Sequence, residues 1–175
     1  MPSNDPAKCA LRLLGKYSVF TAPVPVEKIA VDEGVQVVRS SAPGTESGFI
    51  LRDDDRVVIG VNSRTSRRRQ RFTIAHELGH LNLHIGHRVL IVDHVVRINK
   101  RDEISSAATD HEEIQANAFA AELLMPAGLV QVAVDREQRS GIETRDELIQ
   151  TLAEEFDVST DAMGFRLINL GVFSS

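Results

Sequence analysis

Apolar residues along the chain recur first at helical spacing, then at period two, then at helical spacing again. Ala10, Leu13, Leu14 and Tyr17 share one face of a helix predicted over residues 7–20, which Pro23 and Pro25 terminate. Val26, Ile29 and Ala30 mark a second short helix over residues 25–34, with Gly34 as its stop. Residues 35–39, 48–52 and 56–61 read as strands, the last two joined by a turn at Asp53, Asp54 and Asp55. Residues 72–84 return to helical period, with Ile74, Leu78, Leu81 and Ile85 on one side. Residues 89–92 and 94–98 read as strands and residues 99–110 as a polar loop. Asp110 and Glu113 form a capping-box pattern for a helix over residues 111–124, ended by Pro126. Residues 146–170 carry Leu148, Leu152 and Phe156, then Met163, Leu167 and Leu170, around a turn at residues 157–159. That last pattern resembles a helix-turn-helix.

The side of the 72–84 helix opposite its apolar face carries chemistry. Thr73, His76, Glu77, His80 and His84 fall on one polar arc. His76 and His80 are about 40° apart in angle and about 6 Å apart along the axis, so both imidazoles can meet one ion. His76-Glu77-Leu78-Gly79-His80 is the pattern of a zinc site in which the glutamate is the general base for a metal-activated water. Gly79 costs about 1 kcal/mol relative to alanine in mid-helix, which suggests close approach by another segment. A catalytic zinc takes three protein ligands and keeps a position open. The third ligand is open among His84, His87, His94, His111 and the acids at Glu112 and Glu113.

Composition narrows the class without deciding it. The 175 residues, 42% hydrophobic and 26% charged, suit one globular core with room for a small appended subdomain. The single Cys9 excludes an intramolecular disulfide and fits a reducing compartment. No apolar run is long enough for a membrane span and the N-terminus carries no signal-peptide core, so a cytoplasmic protein is expected. After Gly141, seven acids against two bases account for the whole net charge of -5. An acidic helix-turn-helix is a poor match for phosphate, so a helical cap or protein-docking element is expected there and no direct nucleic acid binding. Arg64, Arg67, Arg68, Arg69 and Arg71 crowd just ahead of the histidine helix, where the dipole disfavours cations. A solvated or salt-bridged surface is the expected explanation, in preference to nucleic acid binding.

The segments RQRFTIAHELGHLNLH and EEIQANAFAAELLMP resemble the ImmA/IrrE metallopeptidases, of the thermolysin-like glutamate-zincin class. The likeness extends more loosely from about Val24 to Phe173. It implies Zn2+ held by His76, His80 and Glu113, the glutamate that opens E-x-x-A-N, with Glu77 as the catalytic base. Asn117, on the same helix face as Glu113, would then fix the tautomer of a ligand histidine. Residues that stabilise the tetrahedral oxyanion are not identifiable from motifs, and His84 and His111 are the candidates.

The expected architecture is α+β: a compact zincin-like domain with a small twisted sheet, an active-site helix and a ligand helix over residues 1–140. An acidic helical subdomain follows over residues 141–175. The resemblance implies an endopeptidase acting on a helix-turn-helix transcriptional repressor, in mobile-element or stress regulation. The alternative is a regulator that keeps the fold but sequesters the repressor without cutting it.

Overall fold

A computed structural model describes residues 5–41, 48–52, 56–84, 90–92, 103–142 and 144–173. Four helices start where a short polar side chain satisfies an otherwise unpaired backbone N–H. Asp5 caps α1 (Pro6–Lys16), Ser66 caps α3 (Arg67–Leu83), Thr144 caps α6 (Arg145–Phe156) and Ser159 caps α7 (Thr160–Asn169). Between them lie α2 (Val26–Asp32), α4 (Glu103–Leu124) and α5 (Ala127–Ser140).

The strands β1 (Val35–Ser40), β2 (Gly48–Arg52), β3 (Val57–Asn62) and β4 (Leu90–Val92) form one sheet in the order β1-β3-β2-β4. β1 runs parallel to β3, while β2 is antiparallel to both β3 and β4. Ile59 sits opposite Val37 on one side and Ile50 on the other, and Ile50, Ile59 and Val61 are buried. Two glycines let the sheet close up. A Cβ at Gly60 would lie 2.1 Å from the Phe49 ring, and one at Gly48 would lie 2.3 Å from the Thr73 methyl on α3. The metal-helix candidate α3 is thereby seated directly on β2.

α3 also packs along α4 through Gly79, and one hydrophobic cluster joins Leu13 and Leu14 of α1, Ile74 and Leu78 of α3, Phe119 and Leu123 of α4, and Phe156 and Met163 of α6 and α7. Nearly all of these are fully buried, and burying each such side chain is worth roughly 1.5–3 kcal/mol. Arg166 on α7 donates from Nε to the Met125 carbonyl (3.0 Å) and pairs with Glu122 of α4. Glu122 in turn accepts the N–H of Ala127 (3.0 Å), so a side chain from α4 caps α5.

Four elements differ from the sequence expectation. α1 ends at Lys16 rather than at residue 20, because Ser18 turns into left-handed backbone (φ 53°) well before the prolines. α3 begins at Arg67 rather than at residue 72, because Asp157 compensates the arginines that the helix dipole disfavours. Its carboxylate lies 3.0 Å from Arg67, 3.7 Å from Arg68 and 3.3 Å from Arg71. Asp157 itself adopts left-handed backbone (φ 53°) at the end of α6, which turns its side chain and carbonyl toward α3. Arg71 then ties three segments together, donating to the Asp157 carbonyl (3.1 Å) and the Val24 carbonyl (2.9 Å). α4 begins at Glu103, so much of the expected polar loop is helix and Asp110 lies inside it. α5 was not expected at all. The expected turn at Asp53–Asp54–Asp55, the strand over residues 94–98, and His87 and His94 lie outside the described residues.

Candidate metal centre

His76 and His80 lie one turn apart on α3, and both are buried. Their Nε2 atoms converge to 3.0 Å. Glu113, from α4, completes the group: Oε2 lies 3.2 Å from His76 Nε2 and Oε1 lies 3.2 Å from His80 Nε2. Among the described residues, these three donors alone form a set of metal-ligating atoms within 4.8 Å of one another. Neighbouring ligands at about 2.0–2.1 Å from a tetrahedral ion stand about 3.3 Å apart. The observed separations of 3.0 and 3.2 Å match that span, so the side chains fit one small cation. The carboxylate is the most open of the three, a third exposed, while the imidazoles are closed in.

The hydrogen bonds behind the imidazoles decide which nitrogen faces the cluster. Asn117 Oδ1 lies 3.1 Å from His76 Nδ1, and an amide oxygen can only accept. His76 Nδ1 must then carry the proton, leaving Nε2 with its lone pair free for a metal. The second imidazole is set by a longer relay. Gln115 Oε1 accepts from His84 Nε2 at 3.0 Å, so His84 Nδ1 is the bare nitrogen. That nitrogen, 3.2 Å from His80 Nδ1, accepts a hydrogen bond from its N–H, which leaves the lone pair of His80 on Nε2, toward Glu113. Two acceptors on α4 thus set both histidines in the ligating tautomer. When Nε2 carries a proton in place of a cation, the hydrogen bonds from the imidazoles to Glu113, His76 first and His80 second, hold its carboxyl well below the usual carboxylate range against the opposing effect of burial. The carboxylate is anionic and ready to bind a cation.

Glu77 follows His76 on α3 and has no solvent exposure. His111 is exposed on α4, one turn before Gln115, and stands outside the donor cluster. Glu112, adjacent to Glu113 on α4, also stands outside that cluster. Gln115 is absent from the sequence-based candidates. It is two residues from Glu113, about 200° around the helix, and only the length of its side chain and the position of His84 bring it into the relay.

Residues 30–168 match the family described as Peptidase_M78, IrrE N-terminal-like domain. The chain belongs to that family. As an ImmA/IrrE family member it has a metallopeptidase-type fold, α+β in class, with a small sheet backed by seven helices among the described residues. No curated relative matches the chain in sequence. Among solved structures it is similar in fold to a Mycobacterium tuberculosis transcriptional regulator, with a TM-score of 0.63 and 21% identity. The match covers 95% of this chain and 47% of the other, so the chain spans about half the length of that protein. Among the described residues no single helix is long and apolar enough to cross a membrane.

Proposed function

We propose that the protein is a zinc-dependent endopeptidase of the cytoplasm that cleaves a helix-turn-helix transcriptional repressor and so relieves repression. The observation that carries this reading is the convergence of His76 Nε2, His80 Nε2 and a Glu113 carboxylate, with Asn117 and Gln115 holding both imidazoles in the ligating tautomer. Two neutral imidazoles and one carboxylate are the donor set of catalytic zinc sites, which reserve a further position for water or substrate. When bound, Zn2+ supplies Lewis acidity, polarising a peptide carbonyl and acidifying a water.

The chain's own groups do the rest. Glu77, withdrawn from solvent beside His76, accepts the proton of the attacking water and returns it to the leaving amine. His84 has both nitrogens engaged, with His80 and with Gln115, and acts as a positioning residue. Of the two histidines considered for the developing oxyanion, His111 is the one not committed to that relay. Residues 1–140 form the peptidase core and residues 141–175 an acidic helical subdomain that serves the protein substrate rather than DNA.

The test is co-expression of a helix-turn-helix repressor with the wild type or with Glu77→Gln, followed by intact mass measurement of the repressor. A discrete pair of fragments with the wild type and intact repressor with Glu77→Gln supports the reading. Full-length repressor with both variants, together with equal relief of repression in a reporter, assigns the protein to sequestration.

A further inference from the structure

A cavity of about 460 Å³ opens between the start of α3, the end of α4 and the start of α7. Leu124, Met125 and Val158, all buried, form its apolar floor, and Arg68 and Arg69 stand at its mouth. Ser159 and Thr160 close the far side. Phe72 belongs both to this cavity and to the metal centre, since its ring centroid lies 6.3 Å from that of His76. The volume falls in the range of about 300–1,000 Å³ typical of ligand pockets.

Position and charge together specify an occupant. Phe72 and Arg68 lie four and eight residues before His76, about 6 and 12 Å along the helix axis. An extended peptide advances about 3.3 Å per residue. A polypeptide whose scissile bond lies over the metal centre therefore brings a side chain two to four residues away into this cavity. The floor asks that side chain to be apolar. The mouth is cationic at Arg68, because Arg67, Arg68 and Arg71 share the Asp157 carboxylate and Arg68 is the most distant of the three, at 3.7 Å. Asp161 of α7 lines a different, shallower groove with Phe165.

We infer that this cavity is a specificity subsite that takes a bulky apolar residue of the protein substrate flanked by an acidic one. The inference rests on the peptidase reading and names the substrate sequence class that the site selects. Arg68 chooses the acid, and Phe72, Leu124 and Met125 choose the apolar side chain.

The chain has three methionines, so the zinc-loaded Glu77→Gln protein carrying ¹³C-methyl methionine gives three signals, and Met125→Leu identifies one of them. The probes are blocked hexa-alanine peptides in which two central residues are replaced by Leu-Asp or Asp-Leu. The expected result is saturable movement of the Met125 signal. Binding should weaken at least tenfold, on the order expected for an apolar side chain, when leucine is changed to alanine. It should weaken about threefold when aspartate becomes asparagine. Arg68→Gln should erase the preference for aspartate and keep that for leucine. No saturable movement of the Met125 signal, or equal affinity for the leucine and alanine peptides, overturns the subsite. Failure here is separable from failure of the peptidase reading. Repressor cleavage without movement of Met125 removes the subsite alone, and movement of Met125 in a protein that never cleaves supports the subsite and removes the peptidase.

Discussion

Gly79 on α3 faces Ala116 on α4 so closely that a Cβ at residue 79 would stand 3.1 Å from both the Cα and the carbonyl oxygen of Ala116. Ala116 is three residues after Glu113 and one before Asn117, so this contact sets the distance between His76 and His80 and the α4 groups that face them. Gly79→Ala gains about 1 kcal/mol in helix propensity but pushes against backbone, which cannot swing aside as a side chain can. The expected outcome is a small change in unfolding free energy, within about 1–2 kcal/mol, and a much larger loss of zinc affinity, read by competition with a chromophoric chelator. Unchanged affinity would show that the spacing of the two helices is not critical to the site.

The relay from Gln115 through His84 makes a sharper demand. Gln115→Leu removes the acceptor that fixes His84 and, through it, His80. Loss of such an outer partner typically lowers metal affinity 10–100-fold. Gln115→Glu keeps an acceptor at the same reach and should retain most of the affinity. Equal zinc affinity in the leucine and glutamate variants would remove the relay from the account.

Arg71 and the exposed Arg64 should behave differently although they belong to one sequence cluster. Truncating Arg71 leaves the Val24 and Asp157 carbonyls without their donor in a largely buried setting, and takes from the Asp157 carboxylate one of its three arginine partners. Arg71→Ala should cost about 2–4 kcal/mol in urea unfolding, whereas Arg64→Ala should fall within about 0.5 kcal/mol of the wild type.

Much of the arrangement is visible in the residues themselves. The spacing of His76 and His80 places both on one face of a helix, and the glycine between them signals the close neighbour that Ala116 turns out to be. What escapes the sequence is held together across long separations. The arginines at the start of α3 oppose its dipole until Asp157, at the far end of α6, is packed against them. α5 lacks a Ser, Thr, Asp or Asn cap of its own because Glu122 of the preceding helix supplies it, although Val130, Ala133 and Val134 carry helical spacing. The first turns of α4 could have been found from Ile104, Ala107 and Ala108 despite the polar residues around them. Glu112 and Glu113 carry the same chemistry, and it is the family resemblance of E-x-x-A-N that singles out Glu113 in the sequence; the packing of α4 on α3 brings it to the imidazoles. Gln115 left no local signal.

The metal centre is the claim on which the rest depends, and the most direct measurement is the zinc content of purified wild type, Glu112→Ala and Glu113→Ala, with X-ray absorption at the zinc edge of the wild type. The expected result is about one zinc per chain in the wild type and in Glu112→Ala, with a shell of nitrogen and oxygen ligands at about 2.0–2.1 Å, and little zinc in Glu113→Ala. Equal zinc in the two alanine variants, or a wild type that binds none after dialysis against the ion, would contradict the assignment of His76, His80 and Glu113 as its ligands.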